Sequence, residues 1–181
     1  MKNEKTSIET KIERSISEAI LYEKAGFDPS QSRDRSGRWT STGALPADVR
    51  YKPKEAVAST EEFEGSTFDL WTGKNYAFTP FYSVSIDPDK ELILDKLTEQ
   101  DITDYINKYY DYLKANPNKT VGTWLNKEND KYYLDITTLL SDRKKAEDMA
   151  DEAFQIAYFD LGQMEEYRRG EDGIYRIYKG E

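Results

Sequence analysis

Two reactive side chains are missing altogether: the 181 residues contain neither cysteine nor histidine. Without cysteine there are no disulfides, thiolate metal sites or thiol nucleophiles. Without histidine the commonest general base and the commonest transition-metal ligand are gone. Long apolar runs are missing too. None approaches the roughly 18 residues that a membrane span needs, so no membrane partner is expected. The opening stretch MKNEKTSIETKIERS has no apolar h-region, so a cytosolic protein is expected rather than a secreted one. No Gly-rich phosphate loop, nucleophile elbow or zinc-deaminase signature appears, and no cofactor or metal is expected.

What the chain does have is aromatic bulk and charge. The hydrophobic fraction is only 37%, but 14 Tyr and 7 Phe supply burial that aliphatic residues would otherwise provide. The length suits one domain with an appendage. Charge is uneven. Residues 1–60 carry 11 basic and 9 acidic side chains, whereas residues 61–181 carry 15 basic and 26 acidic. The later part is an acidic body that should repel phosphates unless its charge is segregated.

Local patterns divide the chain into three parts: an amphipathic helix within 1–26, a basic linker or arm at 27–60, and an acidic domain at 61–181. Thr6 and Glu9 have capping-box spacing, Ile8, Ile12, Ile16 and Ile20 recur at helical intervals, and Gly26 suits the end of that helix. Its stripe needs a partner, either this chain or a second copy, so self-association is one expectation. In the arm, Arg33, Arg35, Arg38, Arg50 and Lys52 surround Trp39 and Tyr51. Arginines among aromatics could contact nucleic acid, or lie along the acidic body.

Within the body, Thr72-Gly73-Lys74-Asn75 predicts a hairpin turn after Thr67–Trp71. Phe81–Asp87 predicts a strand that buries Tyr82, Val84 and Ile86. Thr98 with Asp101 predicts a capped helix through Ala115, its buried stripe made of Ile102, Tyr105, Ile106, Tyr109, Tyr112 and Leu113. Val121–Leu125 and Tyr132–Thr137 predict an antiparallel pair. Ser141 is the expected cap of a further helix, with a stripe of Ala146, Met149, Ala150 and Ala153 ending in Phe154. Ile156–Leu161 predicts a strand covered on both sides, and Asp172-Gly173 a closing hairpin. The expected fold is α+β: an antiparallel-rich sheet with two packed helices.

Two segments resemble a known kind of polypeptide. Val121-Gly122-x-Trp124, Lys131-x-Tyr133-Leu134-Asp135-Ile136-Thr137, Asp142-Arg143-x-x-Ala146 and Gln155-x-Ala157-x-Phe159-Asp160-Leu161 resemble a small ββαβ-like domain. That domain occurs in bacteriophage head-morphogenesis (MuF-type) polypeptides, large polyvalent proteins and short accessory proteins. Phe27-Asp28-Pro29 followed by Arg33-Asp34-x-x-Gly37-Arg38-Trp39-Thr40 resembles a linker of the same phage polypeptides. The resemblance covers about a third of the chain. It implies phage or prophage origin and family-like positions at Trp124, Tyr133, Asp135, Asp142 and Asp160. It fixes no activity, because a module does not carry one function.

Three functional readings follow. In the first, carboxylates on helix faces and near the C-terminus form an acidic surface: Asp101, Asp104 and Asp111; Glu147, Asp148, Asp151 and Glu152; Glu165 and Glu166. That surface would occupy the basic channel of a host nucleic-acid-binding defence complex, as DNA-mimicking anti-CRISPR and anti-restriction proteins do, in the host bacterial cytoplasm. The alternative is a virion or head-associated accessory protein. The second alternative is a metal-dependent nuclease in which Asp87, Asp135 and Asp160 gather around Mg²⁺.

Overall fold

Lys131–Leu140, here β5, is the strand on which the sheet is built. In the computed structural model, which describes residues 44–179, β5 pairs along one edge with β4, Lys119–Asn126, over eight residue pairs from Asn126 opposite Lys131 to Lys119 opposite Thr138. Its other edge is shared by two shorter strands. β3, Leu92–Leu94, takes the first half and β2, Tyr82–Ser85, takes the second. β1, Gly65–Phe68, adds outside β4. β6, Ala157–Asp160, adds outside β2, followed by β7, Glu165–Arg169, and β8, Tyr175–Ile177. Every pairing is antiparallel, giving an eight-stranded sheet among the described residues. The fold is α+β, as the sequence pattern requires. The predicted helix at 7–25 and the arm up to residue 43 lie outside the described residues.

The α-helices among the described residues all cover one face. Register puts Leu134, Ile136 and Thr138 of β5 on the same side as Val121 of β4, Val84 of β2 and Tyr158 of β6. Over the first half of that surface lie α1, Pro53–Phe63, α2, Glu99–Lys108, and α3, Tyr110–Ala115. They enclose a core of Tyr51, Phe68, Leu70, Ile102, Ile106, Leu113, Val121 and Ile136. Over the second half lies α4, Arg143–Glu152, whose Ala146 and Ala150 let it sit close on Val84, Tyr158, Tyr167 and Tyr175. Tyr158 and Tyr167 stack with ring centroids 5.1 Å apart.

Caps and turns explain the boundaries. Thr98 and Asp101 form the predicted capping box: Asp101 N–H donates to Thr98 Oγ1, and Thr98 N–H donates to Asp101 Oδ2 at 2.9 Å. The helix they start pauses at Tyr109, so the single predicted helix is two. Gly73 has φ +69°, and a Cβ there would lie 2.3 Å from Arg50 O, so the predicted turn requires glycine. Beyond the turn the chain pairs back only as a bridge between Phe68 and Asn75.

Four expectations are corrected. The N-cap of α4 is Asp142, not Ser141, accepting from Lys145 N–H at 2.8 Å. Phe154 does not end the buried stripe and is 87% exposed. Gln155 N–H bonds to Ala150 O and Phe154 N–H to Asp151 O, a Schellman closure that swings Phe154 outward with φ +54°. The arm's supposed last third belongs to the body. Val49 and Tyr51 are core, and α1 carries the chain across the expected boundary at residue 60. Finally, Ile156 precedes β6 and is half exposed.

Candidate functional site

The other face of the sheet, which no helix among the described residues covers, is not flat. Thr67, Ser83, Ser85, Gly122, Asp135 and Thr137 all point to it by register, and their side chains are small. The sheet curls over them. Trp124 on β4 donates its indole N–H to Glu166 Oε2 on β7 at 2.8 Å, across three intervening strands. Arg168 on β7 reinforces this latch, bonding Asn126 Oδ1 at 3.2 Å and Glu166 Oε1 at 2.7 Å and pairing with Glu128. Its guanidinium also lies over the Tyr178 ring at 3.9 Å. The half-barrel so formed encloses a cleft, half open to solvent, in which water centres have about 70 Å³.

The floor of this cleft is a mesh of hydroxyls. Thr67 Oγ1 donates to Ser83 Oγ at 3.2 Å, and Thr120 and Thr137 hydroxyls meet at 2.7 Å. On the opposite, helix-covered face the Ser66 and Thr123 hydroxyls meet at 2.7 Å, with Thr60 of α1 against Thr123. Gly122 lies opposite Asp135, and a Cβ there would come within 2.9 Å of Thr137 Cγ2. Glycine therefore keeps the floor open. Ala157 and Phe159 make the far wall, with Trp124 and Glu166 at the mouth.

Asp135 is the carboxyl raised furthest among the described residues. It is nine-tenths buried, and its one hydrogen bond there comes from Ser85 Oγ at 3.2 Å. Burial, then the neighbouring Glu91 carboxylate, push it up to about 7, against a small lowering from Ser85. Glu91 is itself raised by burial. Among the described residues no lysine or arginine lines the cleft.

The other expected site residues scatter. Asp135 and Asp160 stand on opposite faces of the sheet, since Asp160 pairs across from Tyr82 and Asp135 shares the side of Ser85. Asp160 caps the following turn through Gly162 N–H at 2.8 Å and Gln163 N–H at 3.1 Å. Asp87 accepts from Tyr112 OH at 2.9 Å and faces Lys90 and Lys119. Among the described residues no three acidic side chains are gathered closely enough to hold a metal ion. The expected three-aspartate centre is thus not assembled. Tyr133 flanks Trp124 with ring centroids 5.0 Å apart.

The helix carboxylates also divide. Asp101 is spent on its cap, Glu147 accepts from Tyr158 OH at 3.1 Å and pairs with Arg143, and Glu166 belongs to the latch. Asp104, Asp111, Asp148, Asp151 and Glu152 are exposed. Asp148 pairs with Lys144, and Asp151 accepts from Arg169 at 2.6 Å. Glu165 is half-buried on β7. Of the arm, Arg33, Arg35, Arg38 and Trp39 lie outside the described residues. Arg50 turns back to Ala47 O at 2.6 Å, and Lys52 pairs with Glu55 at the start of α1.

Sequence reasoning missed Thr67, Ser83, Ser85, Gly122, Thr137 and Glu91. A signal existed: Ser83, Ser85 and Gly122 stand at strand positions where bulky β-branched or aromatic residues are usual. No family model matches this chain, and neither does any curated protein or solved structure. No helix among the described residues is long and apolar enough to cross a membrane.

Proposed function

We propose that the protein is a phage-encoded, non-enzymatic binding protein that antagonises a host defence nuclease of the anti-CRISPR or anti-restriction kind, in the host bacterial cytoplasm. One observation carries the reading. The exposed carboxylates Asp104, Asp111, Asp148, Asp151 and Glu152 stand on helices that all cover the same face of the sheet. Charge on one side of a molecule is what docking on a basic, nucleic-acid-binding channel needs, because complementary potentials steer association and fix orientation. The ion pairs Lys144–Asp148 and Arg169–Asp151 do not oppose this, since exposed pairs are worth at most about 1 kcal/mol and can re-form with a partner. The three aspartates expected around a metal ion stand apart in the sheet, which favours binding over hydrolysis.

The test is affinity capture from a bacterial lysate with mass spectrometry, using the wild type and the triple variant Asp148→Lys, Asp151→Lys, Glu152→Lys. A nucleic-acid-binding defence complex recovered only by the wild type supports the proposal. Capsid or portal protein as chief partner, or equal recovery by a folded triple variant, contradicts it. Mg²⁺-dependent cleavage of nucleic acid by the purified protein also contradicts it.

A further inference from the structure

We infer that the cleft on the helix-free face binds the head group of a compact organic cation that carries N–H donors, a guanidinium or a primary ammonium. The inference is independent of the acidic helical side, which lies on the other side of the sheet.

Three features of the cleft select that chemistry. The first is charge. Asp135, Glu91 and Glu166 line the cleft, and no cationic side chain among the described residues does. Glu166 is neutralised by Arg168 at 2.7 Å, which leaves Asp135 and Glu91 without a counter-charge among the described residues. A buried carboxylate normally has such a partner, and an uncompensated one weakens the fold. A fold that keeps one has a place for an outside charge.

The second is the hydrogen-bonding character of the floor. Ser85 satisfies one oxygen of Asp135, and the other has no hydrogen-bond partner among the described residues. The hydroxyls of Thr67, Ser83 and Thr137 can turn to accept as well as donate. Such a surface suits a donor-rich ligand. It suits an apolar ligand or an anion poorly.

The third is size and mouth. The space left free for water centres, about 70 Å³, is room for on the order of five waters. A guanidinium or ammonium head with one or two carbons fills that space, and a nucleotide or sugar does not. Trp124 and Glu166 stand at the mouth, where Arg168 already lies over the Trp124 ring at 5.6 Å, so an entering charge is met by the floor and not by that ring. Gly122 keeps the floor deep enough to receive it.

The same head group can arrive on a free small molecule or on an arginine or lysine side chain of another protein. The experiment separates these sources. The full chain is labelled with ¹⁵N and titrated with methylguanidinium, methylammonium, tetramethylammonium and a terminally blocked peptide containing one arginine, following the Gly122, Asp135 and Thr137 amides. Saturable shifts with methylguanidinium or methylammonium at about 1–10 mM are expected, with none from tetramethylammonium, which has no N–H. Binding should weaken at least tenfold in Asp135→Asn and in the floor-filling variant Gly122→Val. Peptide binding at least as tight as the bare cation assigns the source to a side chain, and exclusion of the peptide assigns it to a free molecule. Both results support the cation site. Absence of saturable shifts with either N–H cation overturns it, and so does equal binding of tetramethylammonium or undiminished binding by Asp135→Asn.

Discussion

Replacing Asp135 by Asn should stabilise the protein, and by an amount that grows with pH. The carboxyl has an ordinary value of 3.8 and stands at about 7 in the folded chain, with burial as the main cause and Glu91 as the second. Because the folded state holds this proton more tightly than the unfolded one, rising pH favours unfolding. Below the ordinary value the carboxyl is neutral in both states and costs nothing. Between about pH 4 and about pH 7 the unfolded chain ionises while the folded chain resists, and above that the loss is complete. The full loss is on the order of 4 kcal/mol, of which water in the half-open cleft screens a part. Asn keeps the shape and accepts the Ser85 hydrogen bond, but never ionises. Urea unfolding of both proteins between about pH 4 and about pH 8 isolates the effect, since all other carboxylates are common to the pair. The variant should match the wild type at the acid end and exceed it by at least about 1.5 kcal/mol at the alkaline end. Parallel curves, or a variant less stable at the alkaline end, would refute the reasoning that Asp135 is held without a counter-charge.

Other perturbations test the frame around the cleft. Phe154→Gly should raise stability by about 1 kcal/mol in thermal or urea unfolding, because it relieves a left-handed residue whose ring is exposed. Thr98→Ala breaks the capping box and should cost about 1 kcal/mol by the same measurement. Ile136→Ala empties the centre of the larger core and should cost about 2–5 kcal/mol. Glu166→Gln leaves the Trp124 bond possible but strips Arg168 of one of its two carboxylate partners, so tryptophan fluorescence should shift more with Glu166→Ala than with Glu166→Gln.

The parts of the fold that depend on near neighbours in sequence were the legible ones. Thr98 and Asp101 announce a helix start because both groups of the capping box lie within one turn. Tyr132–Thr137 beside Val121–Leu125 announces a hairpin because one face alternates apolar residues. α1 was not legible, since it buries Ala56, Ser59 and Thr60 rather than a stripe of large apolar side chains, and it follows a segment rich in proline and arginine. The cleft was not legible either. Asp135 is an ordinary strand aspartate until the pairing of β3 with β5 sets Glu91 beside it and the curl of the sheet builds a cleft over it. That curl depends on Trp124 meeting Glu166, residues 42 positions apart. The exposed carboxylates were read correctly as helix-borne, but their sharing of one side follows from strand register, and Asp101, Glu147 and Glu166 proved to be engaged at home.

The central claim, that the helical side antagonises a defence nuclease, is tested most directly by phage plating. The protein is expressed in bacteria that carry a defined CRISPR or restriction system, and a sensitive phage is plated on them. The account predicts that the wild type restores plating by orders of magnitude and that the triple variant Asp148→Lys, Asp151→Lys, Glu152→Lys, folded and equally abundant, does not. Plating that stays low with the wild type across such systems, or rises equally with the triple variant, would contradict it.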